Sequence, residues 1–83
     1  MEKFSFVKYN GKNIVLLDRQ WATAWIAQKI TKTGLLKSID HYVFEDYIEE
    51  VIEPIMNIKD EELDRMKIYH NDFVEYYKNL KQK

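Results

Sequence analysis

The stretch Asp60–Leu80, DEELDRMKIYHNDFVEYYKNL, decides how the rest of the chain is read. Leu63, Met66, Tyr69, Phe73, Tyr76, Tyr77 and Leu80 recur at steps of three and four, so at about 100° per residue they share one arc of a helix. Glu61, Asp64, Lys67, Asn71, Glu75, Lys78 and Asn79 fall on the other arc, and no Gly or Pro interrupts the pattern. Asp60 or Lys59 starts this helix, and Glu61 and Glu62 in its first turn suit the positive end of the helix dipole. The tail from Lys81 is expected to fray. Such a helix is marginal alone in water, so the fold depends on what covers its apolar arc.

Working outward toward the N-terminus, Pro54 lacks an N–H and marks a stop. Before it, Phe44, Tyr47, Ile48, Val51, Ile52 and Ile55 have helical spacing, so a second helix is expected over about 41–53, capped by Asp40 or Ser38. Leu35–Ile39 reads equally as a linker, a helical turn or an edge strand. Trp21, Ala22, Trp25, Ile26 and Ile30 make a broad apolar arc. This predicts a helix over about 19–32, with Asp18 as its cap, Lys29 and Lys32 near its end and Gly34 as a left-handed stop.

The first seventeen residues read differently. Phe4 and Phe6 alternate with polar neighbours, Asn10-Gly11 is a strong signal for a two-residue hairpin turn, and Ile14–Leu17 is a continuous apolar run. A run of that kind expects cover on both faces. A lone hairpin is unstable in water and must pack on something. The expected fold is therefore α+β: an N-terminal β-hairpin over 3–17 packed against three α-helices, in a single domain spanning 1–83. The segment Lys8-Tyr9-Asn10-Gly11-Lys12, continuing to Asp18 and Trp21, resembles the start of some phage antirepressor-type domains, and no function is carried over from that resemblance.

Composition narrows the function classes. There is no cysteine, which excludes disulfides and thiolate metal sites and fits a reducing, cytoplasmic setting. The first residues lack the apolar core of a signal peptide, and no apolar run approaches the ~18 residues of a membrane span. Lys outnumbers Arg eleven to two, and Ile, Asn and Tyr are frequent, a usage associated with AT-rich bacterial or phage genomes. Residues 1–37 hold seven basic and two acidic groups, and residues 38–83 hold six and twelve, so the two parts carry +5 and −6.

No catalytic, cofactor or metal motif is present. Ser5 and Ser38 have no nucleophile context, and there is no glycine-rich phosphate loop. His41, Glu45 and Glu49 are spaced i, i+4, i+8, but one helix face rarely closes a metal site. The expectation is a non-enzymatic binding protein that acts on a macromolecular partner, plausibly a phage or mobile-element regulator or inhibitor of a host protein.

Two faces are candidates for the contact. One is an acidic stripe, Glu45, Glu49, Glu50 and Glu53 beside Asp46, in a stretch with no basic residue between Lys37 and Lys59. Its like charges at i,i+4 cost a helix a few tenths of a kcal/mol each, which argues for keeping it for a partner. The other is the pair Trp21 and Trp25, since Trp is enriched at binding hot spots. The alternative is a nucleic-acid-binding regulator using Lys8, Lys12, Arg19, Lys29 and Lys32. A helix-turn-helix is disfavoured because its second helix would be the most acidic part of the chain. A homodimer is also possible, through an apolar patch at Trp21 or Tyr47.

Overall fold

A computed structural model describes residues 1–36 and 41–82. It overturns the hairpin with three helices. The described residues form five antiparallel strands in one sheet and one helix, so the chain is α+β at most. The strands are β1 (Phe6–Tyr9), β2 (Lys12–Trp21), β3 (Ala24–Ile30), β4 (His41–Phe44) and β5 (Ile48–Ile52), and the helix α1 is Asp60–Lys81. The order across the sheet is β4-β3-β2-β1-β5.

The hairpin at Asn10-Gly11 is where the turn chemistry places it. Tyr9 pairs with Lys12, and both turn residues have positive φ, 52° and 75°, the pattern of a type I′ turn. Strand β2 runs past Leu17 into the region expected to be helical. There Trp25, Ala27 and Lys29 alternate with Ile26, Gln28 and Ile30 at period two, and Ala22-Thr23 makes the turn back. The region 41–53 likewise divides into β4, a short 3₁₀ turn at Glu45–Tyr47, and β5. Its aromatic and β-branched content suits a pleated surface better than a helix. The proposed caps fall with the helices: Asp18 lies within β2, and Asp40 and Ser38 lie outside the described residues.

The sheet must coil. β4 and β5 lie at opposite edges, yet only Glu45–Tyr47 separate them. Four Cα steps span at most about 15 Å, whereas the edges of a flat five-stranded sheet lie about 19 Å apart. Two register irregularities in the β2–β3 ladder, at Leu16/Asp18 and Arg19/Trp21, supply the bend. The concave side closes on itself around Val7, Ile14, Leu16, Trp25, Ala27 and Val43, with Tyr9 and Ile48 packed against them, so all five strands contribute.

The convex side carries α1. Leu63, Met66, Phe73, Val74 and Tyr77 bury against Phe6, Val15, Leu17, Ile30, Leu36 and Ile58. The continuous run Ile14–Leu17 thus splits between the two cores, Ile14 and Leu16 inward, Val15 and Leu17 toward the helix. The helical arc is narrower than its spacing implies. Tyr69 is 83% exposed, and the helix breaks its geometry at His70 (φ −137°, ψ 48°), which rotates one half relative to the other. The cover comes from the sheet and the segment before α1, not from a middle helix.

Two left-handed residues fix the connections. Gly34 (φ 82°) accepts from Lys59 N–H, and a Cβ there would lie 1.8 Å from the Asn57 carbonyl oxygen, so the turn after β3 presses on the entry to α1. Asn57 Nδ2 also donates to the Lys32 carbonyl, which ties the same two segments. Phe4 has φ 70°, the third residue of a turn in which Ser5 N–H donates to the Glu2 carbonyl. That conformation swings its ring onto Tyr76 and Phe73, at 4.9 and 5.6 Å between centroids.

Candidate functional site

The two tryptophans are separated by the sheet rather than joined on a helix face. Trp25 points into the concave core and is 2% exposed. Its indole Nε1 donates to Glu45 Oε1 at 3.1 Å, and the Arg19 guanidinium lies 4.4 Å from its ring centroid. Trp21 pairs with Ala24, which alternates with Trp25, so Trp21 stands on the convex side and is 61% exposed.

Strand β4 adds two more aromatics to that side. Val43 is buried in the concave core, so its neighbours Tyr42 and Phe44 project the other way. The ladders set two rows across three strands: Asp18–Ile26–Tyr42 and Trp21–Ala24–Phe44. Trp21 stacks on Tyr42 with centroids 5.5 Å apart and planes 27° from parallel. Tyr42 and Phe44 remain 54% and 43% exposed. This is an aromatic face on a hydrogen-bonded sheet, made by β4 and by the parts of β2 and β3 that lie past the residues packed on α1. Exposed apolar patches on rigid elements mark contact surfaces more often than scattered exposed side chains do.

The acidic stripe does not exist as a helix face. Glu45 sits in the 3₁₀ turn, Glu49 and Glu50 in β5, and Glu53 just beyond it. Two of these acids have structural work. Glu45 Oε1 accepts from Trp25 and Arg19 and lies 3.6 Å from the N-terminal ammonium. The Trp25 indole N–H leads in holding the Glu45 carboxyl below the ordinary carboxylate range; partial burial opposes it, and the two cations add to it. Glu49 Oε1 accepts the Gly11 N–H at 2.7 Å and braces the hairpin turn. Glu50 and Glu53 are exposed, with Tyr47 and Val51 exposed nearby in sequence.

The basic residues do not form one patch. Lys8 and Lys29 lie on opposite faces, since Lys8 alternates with Val7 while Lys29 pairs with Ile14 in the concave set. Lys12 begins β2 at the hairpin, and Lys32 lies in the turn after β3. Arg19 is occupied by Glu45, by the Ala22 and Met1 carbonyls and by the Trp25 ring. Among the described residues no group of three or more His, Asp or Glu side chains is placed to hold a metal, and no helix is long and apolar enough to cross a membrane. The helical spacing of His41, Glu45 and Glu49 disappears with the helix.

Sequence reasoning missed Tyr42 and Phe44. Their signal was the alternation Tyr42-Val43-Phe44, which at period two puts both rings on one face. Comparison of the chain with protein-family models, with curated proteins and with solved structures finds no match.

Proposed function

We propose that the chain is a small non-enzymatic protein-binding module, a regulator or inhibitor of the phage or mobile-element kind, that takes its partner on the Trp21–Tyr42–Phe44 face. One observation carries this reading: Trp21 and Tyr42 stack on each other while both keep more than half their surface in water. A pre-stacked pair on a sheet loses little side-chain entropy on binding, and aromatic anchors of this kind dominate interface energies. The acidic residues contribute less to the reading, because Glu45 and Glu49 are engaged inside the fold. The nucleic-acid alternative lacks support, because its lysines are dispersed over different faces and Arg19 is engaged.

The test is affinity capture on the immobilised chain, comparing wild type with Trp21→Ala/Tyr42→Ser and with Glu50→Gln/Glu53→Gln. A protein retained by wild type and by the glutamine pair, but lost with the aromatic pair, is the expected result. Loss with the glutamine pair alone moves the contact to β5. Retention of DNA or RNA that falls steeply with salt, with no protein lost from the aromatic variant, replaces this reading with the nucleic-acid one.

A further inference from the structure

A bulge in β5 aims one side chain at the hairpin turn. Lys8 pairs with Glu50 and Tyr9 with Ile48, so Glu49 is the extra residue between them. Its carboxylate reaches past the end of β1 and accepts the Gly11 N–H at 2.7 Å. The side of Gly11 where a Cβ would stand is open, with no atom within 4 Å. Asn10 and Gly11 are both exposed.

Asn10-Gly11 is also where the chain is chemically weakest. In an asparagine followed by glycine, the next backbone nitrogen attacks the side-chain carbonyl carbon. The Gly11 nitrogen bonds to Asn10 Cγ, the Cγ–Nδ2 bond breaks, and the Gly11 amide proton departs with Nδ2 as ammonia. The product is a cyclic imide. Water opens it at either carbonyl, leaving aspartate or isoaspartate at position 10. The other asparagines precede residues with side chains: Asn13 and Asn57 precede the β-branched Ile14 and Ile58, Asn71 precedes Asp72, and Asn79 precedes Leu80. Those side chains crowd the attack, and Gly11 has none.

We propose that Asn10 is a site of self-modification whose rate is set by Glu49. The attacking atom is the Gly11 nitrogen, and it must first give up the proton that Glu49 holds. A carboxylate accepting from an N–H stabilises the protonated amide and opposes its ionisation. The same bond fixes the peptide plane between Asn10 and Gly11, which must turn for the nitrogen to reach Cγ. Both effects slow ring closure, so Glu49 is a positioning residue that protects the turn. Glu49 belongs to β5, and its contact exists only while that edge strand is paired with β1. Conversion at Asn10 therefore records the time that β5 spends off the sheet.

The two products act differently on the fold. Isoaspartate routes the main chain through the former side chain and inserts a methylene before Gly11. The tight turn that pairs Tyr9 with Lys12 through two positive φ angles cannot absorb that atom without a shift of register. Aspartate keeps the main chain and sets a second carboxylate beside Glu49. The ammonia is lost to solvent, so neither product reverts to asparagine.

The experiment uses the full chain, incubated at neutral pH and body temperature, as wild type, Glu49→Gln and Glu49→Ala. Peptide mass spectrometry reads amide loss at Asn10, with Asn13 and Asn57 as internal references, and carboxyl-methyltransferase labelling reads isoaspartate. Hydrogen exchange follows the β1–β2 ladder, and circular dichroism confirms the fold of each chain. The expected result is conversion at Asn10 ahead of the other asparagines, about tenfold faster in Glu49→Ala than in wild type. Glu49→Gln keeps a weaker, uncharged acceptor and should fall between them, at about threefold. If Glu49→Ala loses its fold, the glutamine variant carries the comparison. Exchange along the ladder should change far less than the conversion rate. Equal conversion in the three chains overturns the proposal. So does slower conversion without the carboxylate, which would make Glu49 a base rather than a brake. An acceleration matched by equally faster exchange along the ladder assigns the effect to general opening of the hairpin and overturns it too.

Discussion

The Tyr77 hydroxyl donates to the Ile55 carbonyl at 2.6 Å and accepts the Ile58 N–H at 3.2 Å, so one side chain from the far part of α1 satisfies the backbone of the segment that leads into it. Tyr77 is fully buried against Phe6 and Phe73. Tyr77→Phe keeps the ring and removes both bonds, leaving the buried Ile58 amide unpaired. The expected loss is about 1–3 kcal/mol with an unchanged urea m-value. A variant within experimental error of wild type would mean that water replaces the hydroxyl.

Phe4 offers a comparison that inverts the usual order of residues. Its φ of 70° is strained for any side chain, and its ring packs on Phe73 and Tyr76. Phe4→Ala loses the ring and keeps the strain, whereas Phe4→Gly loses the ring and relieves it. Glycine should be the milder substitution by about 1 kcal/mol, read as a higher melting temperature. If alanine is the more stable variant, the turn rearranges once the ring is gone.

At Gly34 strain and space act together. An alanine there meets the Asn57 carbonyl oxygen at 1.8 Å and adopts φ 82°, and the obstacle is backbone rather than a flexible side chain. Gly34→Ala should cost about 3 kcal/mol or more, because overpacking and left-handed strain add. Hydrogen exchange should show the damage first at Lys59, whose N–H donates to the Gly34 carbonyl.

Stability should fall at both ends of the pH range, and the signs follow from four groups. Glu45 is held low by the Trp25 indole N–H and its two cations. Partial burial pushes the Asp72 carboxyl up, but the Lys3 ammonium at 3.0 Å and the Phe73 N–H outweigh it and bring it below its ordinary value. Depressed acids stabilise the fold above their unfolded pKa values of about 4, and that stability is lost as pH falls through the folded values. The Asp72 hydrogen bond raises Lys3, and burial raises Tyr77, so both favour the folded state below about pH 10 and lose that effect as pH rises further. In thermal melts Glu45→Gln/Asp72→Asn should flatten the acid limb and, because Asp72 is what raises Lys3, also shrink the alkaline limb toward the part that Tyr77 supplies. Parallel acid limbs would show that these contacts exist equally in the unfolded chain.

The parts of the fold readable from sequence are those with an unambiguous local signal. Asn10-Gly11 tolerates positive φ at two successive residues, and few other structures need that. Asp60–Leu80 is long, periodic and unbroken, and Phe73 and Tyr77 are buried as its spacing requires. The middle was misread because a coiled sheet covered on both sides leaves no clean alternation. Trp25 and Ile26 are apolar neighbours serving opposite faces, and together with Trp21 and Ile30 they imitate a helical arc. Ala22-Thr23 turns the chain with neither Gly nor Pro to mark it. Phe44, Tyr47, Ile48, Val51 and Ile52 also mimic helical spacing, yet only Ile48 and Ile52 pack against the cores. The candidate site suffered in the same way. Trp21 is exposed but stands apart from Trp25, because its neighbour on the surface, Tyr42, is brought to it by a strand that sequence placed on a helix.

The three-residue link between the two edges of the sheet has a kinetic consequence. β1, β2 and β3 pair with their immediate neighbours in sequence and can form as local hairpins. β5 must return across the whole sheet to pair Phe6 with Ile52, and α1 can dock only on a surface those strands have already made. Closure of the longest loop is thus placed late, after its entropy has been lost and before its contacts repay it. The chain should refold in milliseconds to seconds rather than the microseconds of a helical bundle, with the hairpin of Asn10-Gly11 protected before the strand that bears Glu49 and Glu50. For as long as that interval lasts, β1 is a second unpaired edge, and the nascent chain is most exposed to mispairing there.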